Sequence, residues 1–200
     1  MHATPLLALL GLLASAGPEG PDAHLLAGAR AFREGQFATA LVEFRVAEKL
    51  GAADAGAYVA ATLVKLGRAE EAVEAFGAAM PASGDPLLDQ YRAMACYEAR
   101  LYLCADRLLE AVAARGGPGM TEQATRTRSE IAAALKDEPP TATIDWYLSR
   151  CTGDLRRDRP VLAAAYCAEA AGLGSRRSDG YGKAEADAAL SKARQKGAAR

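Results

Sequence analysis

The sequence predicts an all-α fold built from antiparallel helix hairpins, and two observations support this. Of the 200 residues, 48 are alanine, the strongest helix former, whereas the strand-favouring isoleucine and valine occur only two and seven times. A pattern of small and aromatic residues also recurs with a period of 32 to 33 residues, which is typical of stacked helical repeats. A chain of this length can bury the core of one domain or of two small ones.

The chain begins with an apolar segment that is too short to cross a membrane. Residues 5–16 (PLLALLGLLASA) carry no charge, end in a small-x-small pattern, and are followed by the helix-breaking run 17–21. This pattern predicts a secretory signal peptide over residues 1–16, although no Lys or Arg precedes the apolar run. The alternative is an apolar N-terminal helix of a cytoplasmic protein. No later apolar run is long enough to span a bilayer, so we expect no integral membrane segment after removal of the leader.

The repeat becomes visible when residues 35–47 are aligned with residues 67–79. Glycine, alanine, phenylalanine and alanine then recur at the same offsets, 32 residues apart, and Ala105 and Leu109 continue the pattern after another 33 residues. A small residue recurs upstream of each as Gly28, Ala60 and Ala93. Small residues let two helices approach closely, and the larger apolar residue fills the space towards the next pair.

At these positions the chain resembles the tetratricopeptide repeat family, whose units are helix–turn–helix pairs of about 34 residues. Gly28, Ala40, Phe44 and Ala47 match the first unit. The second unit is matched by Ala60, Gly67, Ala72, Phe76 and Ala79. The third is degenerate, because Arg100 replaces the glycine and Val112 the last alanine. The resemblance covers residues 21–114; the alternative is a non-repetitive alanine-rich bundle.

The resemblance implies a right-handed solenoid of helix hairpins whose first helices line a concave groove for a partner protein or peptide. The groove-facing positions of the family fall here on aromatic, apolar and basic residues. They include Phe32, Arg33, Tyr58, Lys65, Tyr91, Met94 and Tyr97. Leu25, Ala29, Tyr58, Leu87 and Tyr91 stand where carboxylate-binding members carry Lys and Asn, so capture of a free C-terminal carboxylate is not expected.

A helical block follows the repeats. Thr121 is expected to cap a helix that runs to Lys136 and completes a first region, 21–136. The second region, 141–197, is expected to hold helices over 143–152, 160–172 and 183–196. Residues 153–174 weakly resemble a single Sel1-type repeat.

Four cysteines lie in two pairs, one pair in each of two predicted hairpins. Cys96 and Cys104 flank the turn of the third unit, and Cys151 and Cys167 lie on the two helices of the C-terminal hairpin. Antiparallel helices near their connection can meet disulfide geometry, so an oxidising compartment predicts the pairs Cys96–Cys104 and Cys151–Cys167. The alternative is four buried thiols in a reducing cytoplasm.

The charge and residue inventory argue against several function classes. A net charge of −1 and a pI of about 6.2 give no electrostatic support for nucleic-acid binding. After leader removal His24 is the only histidine of the given sequence. The acidic residues Glu70, Glu71 and Glu74 are expected to face solvent. We therefore predict no catalytic, cofactor or metal site. Residues from Thr141 onward carry a charge of +4, against −5 for residues 17–140.

These observations favour an exported, periplasmic or extracellular interaction module, a scaffold or adaptor that is not an enzyme and takes part in cell-envelope assembly. A second hypothesis is a small-ligand site or enzyme in the C-terminal block, around Trp146 and residues 156–159. That hypothesis requires a deep pocket with converging polar side chains. A third is a purely structural accessory subunit.

Overall fold

A computed structural model of the protein describes residues 20–77, 84–135 and 138–199. Over these residues the chain is all-helical, with no strand, which confirms the predicted fold class. The leader, Ala79 and Lys136 lie outside the described residues. The helices are α1 (Pro21–Arg33), α2 (Phe37–Lys49), α3 (Ala55–Lys65), α4 (Ala69–Phe76), α5 (Pro86–Glu98), α6 (Tyr102–Arg115), α7 (Pro118–Ala134), α8 (Thr141–Arg156), α9 (Pro160–Gly174) and α10 (Lys183–Ala198).

Four hairpins share one turn: α1/α2, α3/α4, α5/α6 and α8/α9. Two residues before each second helix the backbone is left-handed, with φ between 60° and 76°, and the next amide donates to the carbonyl five residues back. This hydrogen bond closes the first helix as in a Schellman motif. Glycine takes the left-handed conformation without strain, whereas other residues pay a conformational cost. The four residues are Gly35, Gly67, Arg100 and Asp158.

The same register places equivalent residues where the paired helices touch. Five residues after each left-handed position stands an alanine with no exposed surface: Ala40, Ala72, Ala105 and Ala163. Seven before and nine after lie a second set of equivalent positions: Gly28 and Phe44, Ala60 and Phe76, Ala93 and Leu109, and Cys151 and Cys167. Gly28 lies against Phe44 and Cys151 lies against Cys167, so the C-terminal hairpin follows the same register.

Replacing Gly28 with alanine is expected to destabilise the protein. A Cβ atom at Gly28 would lie 2.7 Å from two ring carbons of Phe44, whose ring is buried and stacked on Tyr58. Overpacking of this kind costs about 1–3 kcal/mol and exceeds the helix-propensity gain of about 0.5–1 kcal/mol. We expect a net loss of about 1 kcal/mol in urea unfolding. Gly119→Ala in α7 is the matched control, since open space surrounds that position; it should raise stability, and equal effects would contradict the close contact.

The C-terminal block packs on the second helices of the repeat hairpins. Helices α8, α9 and α10 pack against one another, and α9 also contacts α4 and α6. Helix α9 is buried on nearly all sides, which explains its continuous apolar and alanine-rich sequence. Helix α7 packs against α6. This arrangement leaves the groove side of α1, α3 and α5 uncovered by the block.

Two helices, α7 and α8, differ from the prediction by three residues or more at one end. Helix α7 begins at Pro118, because proline suits the first position of a helix. Thr121 is therefore inside the helix, where its hydroxyl donates to the carbonyls of Ala113 and Gly116 and does not cap the end. Helix α8 extends from Thr141 to Arg156, six residues longer than residues 143–152.

The two predicted cysteine pairs lie at disulfide distance. The Cα atoms of Cys96 and Cys104 are 5.9 Å apart, and those of Cys151 and Cys167 are 5.1 Å apart. Both separations fall inside the range that a disulfide requires. Within the described ranges, no helix combines the length and apolar character needed to cross a bilayer.

Candidate functional site

The groove side of α1, α3 and α5 forms an apolar cavity of about 470 Å³. We call it the helix groove. Four of the seven predicted partner-binding residues line it: Phe32 and Arg33 from α1, Tyr58 from α3 and Tyr91 from α5. Leu87 and Tyr58 are half exposed, although both are large and apolar. The groove thus presents apolar surface that the protein itself does not cover.

Ring contacts fix the walls of the helix groove. The rings of Phe32 and Tyr91 meet edge-on with centroids 6.2 Å apart, and Phe44 stacks on Tyr58 at 5.2 Å. The ammonium of Lys65, the fifth predicted residue, lies 5.6 Å from the centroid of the Tyr91 ring. Burial raises the pKa of Tyr91, so its hydroxyl stays protonated at neutral pH.

The other two predicted groove residues lie in a different place. Met94 and Tyr97 line a separate cavity of about 230 Å³ between α5 and α7. There Gln90 of α5 donates a hydrogen bond to Gln123 of α7 at 3.1 Å. Helix α7 therefore packs beside α5 here, and Met94 and Tyr97 do not line the helix groove.

A third cavity, of about 500 Å³, lies where the C-terminal block meets the second and third hairpins. We call it the seam cavity. Its walls include Trp146, Arg150 and Tyr166 from the block, and Glu70, Glu98 and Arg100 from the hairpins. The small-ligand hypothesis requires a deep pocket with converging polar side chains; this cavity has the polar side chains but is open to solvent.

A network of ion pairs forms the floor of the seam cavity and joins the two halves of the chain. Arg159 contacts both carboxylate oxygens of Glu74, at 2.9 and 3.2 Å, and an oxygen of Glu70 at 3.4 Å. Glu70 also accepts hydrogen bonds from Arg150 and from the Tyr166 hydroxyl, the latter at 3.1 Å. Burial raises the pKa of Tyr166 to about 12, so the hydroxyl acts as a donor here.

Behind this network lies a fully buried carboxylate, Asp154. The guanidinium groups of Arg150, Arg157 and Arg159 surround it at 3.6–3.9 Å. Neither of its oxygens has a hydrogen-bond partner among the described residues, and burial raises its pKa. The three guanidinium groups offset its buried charge, since an unpaired buried charge is costly.

The solvent-facing prediction for the acidic residues of α4 is wrong for Glu70 and Glu74. Both are bound to arginines that lie 80 or more positions later in the chain. Arg159 is likewise a bridge to α4 and not a solvated helix end. The signal in the sequence was the opposite charge of the two halves, which the structure brings into contact at this seam.

A second buried acid, Glu169 of α9, binds the start of α6. Its carboxylate accepts hydrogen bonds from the amides of Leu103 at 2.6 Å and Cys104 at 3.4 Å. These amides are among the free donors at a helix N-terminus, so Glu169 caps α6 from a distant helix. Burial raises its pKa to about 7. No periodicity in the sequence pointed to this role.

The described residues give no arrangement for nucleophilic or metal chemistry. His24 lies beside Glu43, with its Nδ1 atom 2.8 Å from a carboxylate oxygen, far along the chain from the seam. No group of three or more His, Cys, Asp or Glu side chains within those residues is placed to hold a metal ion. Comparisons with protein-family models, curated proteins and solved structures found no match to this chain.

Proposed function

We propose that the protein is an exported interaction module of the tetratricopeptide type that binds an apolar segment of another protein in the helix groove. The observation that carries this proposal is the groove itself. It is a cavity of about 470 Å³ with mainly apolar walls, lined by the first helices of three consecutive hairpins. Its volume lies in the range of about 300–1,000 Å³ that is usual for ligand pockets.

Three further features support the proposal. The turn and register shared by the hairpins are consistent with the repeat resemblance. The C-terminal block packs on α4 and α6 and leaves the groove open. Tyr58 is 47% and Leu87 55% exposed, and exposed aromatic residues such as Tyr58 are common binding hot spots.

Leader-like residues 5–16 and two cysteine pairs at disulfide distance support export. Export together with the repeat favours a scaffold of the cell envelope.

Site-specific photo-crosslinking tests the groove. We expect benzoylphenylalanine placed at Leu87 to yield one discrete protein adduct in cells. Tyr58→Ala in the same chain should remove that adduct, because loss of a central aromatic weakens binding about 30-fold or more. Val42 is the matched control, since it is 60% exposed on α2 and does not line the groove.

The outcomes distinguish specific binding in the groove from non-specific association. An adduct from position 87 that is absent at position 42 and lost with Tyr58→Ala supports the groove. The same adducts from both positions, or an adduct at 87 that Tyr58→Ala leaves intact, contradict it. Tyr97 lines the cavity beside α7, so the substitution Tyr97→Ala should leave the adduct unchanged.

A further inference from the structure

The seam cavity contains two side chains of opposite charge that have no described partner. Glu98 and Arg100 are both exposed and line this cavity. Glu98 also borders the cavity beside α7. Neither the carboxylate nor the guanidinium makes an ion pair or a hydrogen bond with another described residue. They stand two positions apart at the end of α5, so their backbones are within about 7 Å of each other.

The other charges that line the cavity are already paired. Arg68 binds Glu71 with two hydrogen bonds at 2.7 and 2.5 Å. Arg150 and Arg159 bind Glu70. The charge still available to a ligand is therefore one carboxylate and one guanidinium, from residues two positions apart.

Arg100 is also an unusual residue for its position in the shared turn. Arg100 has φ of 63°, at the position that glycine occupies in the first two hairpins. A non-glycine residue in this conformation costs about 1 kcal/mol or more, and such strain is frequent at functional sites. Asp158, the other non-glycine residue at this position, forms an ion pair with Lys196 at 2.6 Å. The Arg100 guanidinium has no comparable contact among the described residues.

Trp146 provides an apolar wall for the rest of a ligand. Its side chain is 40% exposed and lines the cavity. Edge-on contacts with Tyr147 and Tyr166, at 4.8 and 5.9 Å between centroids, hold the indole in place. An apolar group of a ligand can bury area against this ring without displacing a packed residue.

We propose that the seam cavity binds a free α-amino acid with an apolar side chain. Arg100 receives its carboxylate, Glu98 its ammonium group, and Trp146 its side chain. A simple anion could pair with Arg100 alone, and a simple cation with Glu98 alone. A zwitterion can pair with both, because it carries a carboxylate and an ammonium group. The seam cavity and the helix groove share no lining residue, so this inference is independent of the groove.

The test uses Trp146 as its own reporter, since it is the single tryptophan of the chain. The purified protein with both disulfides intact is titrated with L-leucine, followed by Trp fluorescence and by calorimetry. Two half-ligands are titrated in parallel: 4-methylpentanoate, which lacks the amine, and 3-methylbutylamine, which lacks the carboxylate. We expect each half-ligand to bind at least about tenfold more weakly than the best amino acid. The remaining nineteen amino acids are screened in the same way.

Three variants connect binding to the named residues. Arg100→Gly should lose at least about tenfold in amino-acid affinity while unfolding at the same or a higher temperature, because it removes the strained side chain. Glu98→Gln should weaken the binding of amino acids and of 3-methylbutylamine but not the binding of 4-methylpentanoate. Arg126→Gln is the charge-matched control, on an arginine of α7 whose side chain is 82% exposed and lies outside the cavity.

Several results would overturn the proposal. If none of the twenty amino acids changes the emission or releases heat at about 10 mM, a concentration at which even millimolar sites are occupied, the cavity is not an amino-acid site. If 4-methylpentanoate binds as well as L-leucine, the site takes simple carboxylates. If Arg100→Gly binds like the wild type, Arg100 does not hold the ligand.

Discussion

Replacing Cys151 and Cys167 together by alanine is expected to lower the free energy of unfolding by about 3 kcal/mol. The disulfide closes a loop of 16 residues, and the chain-entropy estimate for that length is about 3 kcal/mol. Both cysteines are fully buried between α8 and α9, so the lost sulfur contacts add to this effect. For a domain of this size the melting temperature should fall by about 6–12 °C.

The second cysteine pair provides the comparison. Replacing Cys96 and Cys104 by alanine opens a loop of only 8 residues, for which the estimate is about 2.5 kcal/mol. Thermal unfolding of both variants and of the wild type, with and without reductant, measures the two contributions. Four reactive thiols in the unfolded, unreduced wild type, or a melting temperature unchanged in Cys151→Ala/Cys167→Ala, would show that the crosslink is not formed.

The protein should become less stable between about pH 5 and pH 8 because of Glu169. Its pKa is about 7 in the folded protein and about 4.5 when exposed. Between these values the folded state binds the extra proton, so raising the pH favours unfolding. The stabilisation is complete below the unfolded pKa and is lost as the pH passes through 7. A difference of this size corresponds to about 3 kcal/mol.

Glu169→Gln isolates this contribution. The amide oxygen of glutamine can still accept the hydrogen bond from Leu103, but the side chain cannot ionise. We expect the variant to be more stable than the wild type at pH 8 and similar to it near pH 5, as measured by urea unfolding. Glu122→Gln is the control, because Glu122 is exposed on α7. Parallel pH profiles of Glu169→Gln and the wild type would contradict a buried, protonated Glu169.

Features that depend on local sequence could be predicted. The alanine excess and the repeat identified the helices and the positions where they touch, and the cysteine spacing identified the two pairs. Each depends on residues within one hairpin, where the turn fixes the geometry. The shared turn at Asp158 was missed, because aspartate there lacks the glycine that marks Gly35 and Gly67.

The candidate sites depend on contacts that no local pattern encodes. Glu70 and Arg150 are 80 residues apart, and Leu103 and Glu169 are 66 apart. Such contacts follow from how the C-terminal block docks, which is a property of the whole packed core. Of the residues expected from the repeat, Phe32, Arg33, Tyr58 and Tyr91 line one cavity, whereas Met94 and Tyr97 line another, beside α7.

The register of the four hairpins has a consequence for how the fold tolerates change. Where the first hairpin packs a phenylalanine ring on a glycine, the last places a covalent bond between Cys151 and Cys167. The same position in the register is thus filled by non-covalent packing in one hairpin and by a cysteine pair in another. The stability of the last hairpin therefore depends on the redox state of its surroundings, whereas that of the first hairpin does not. Both hairpins have the same turn.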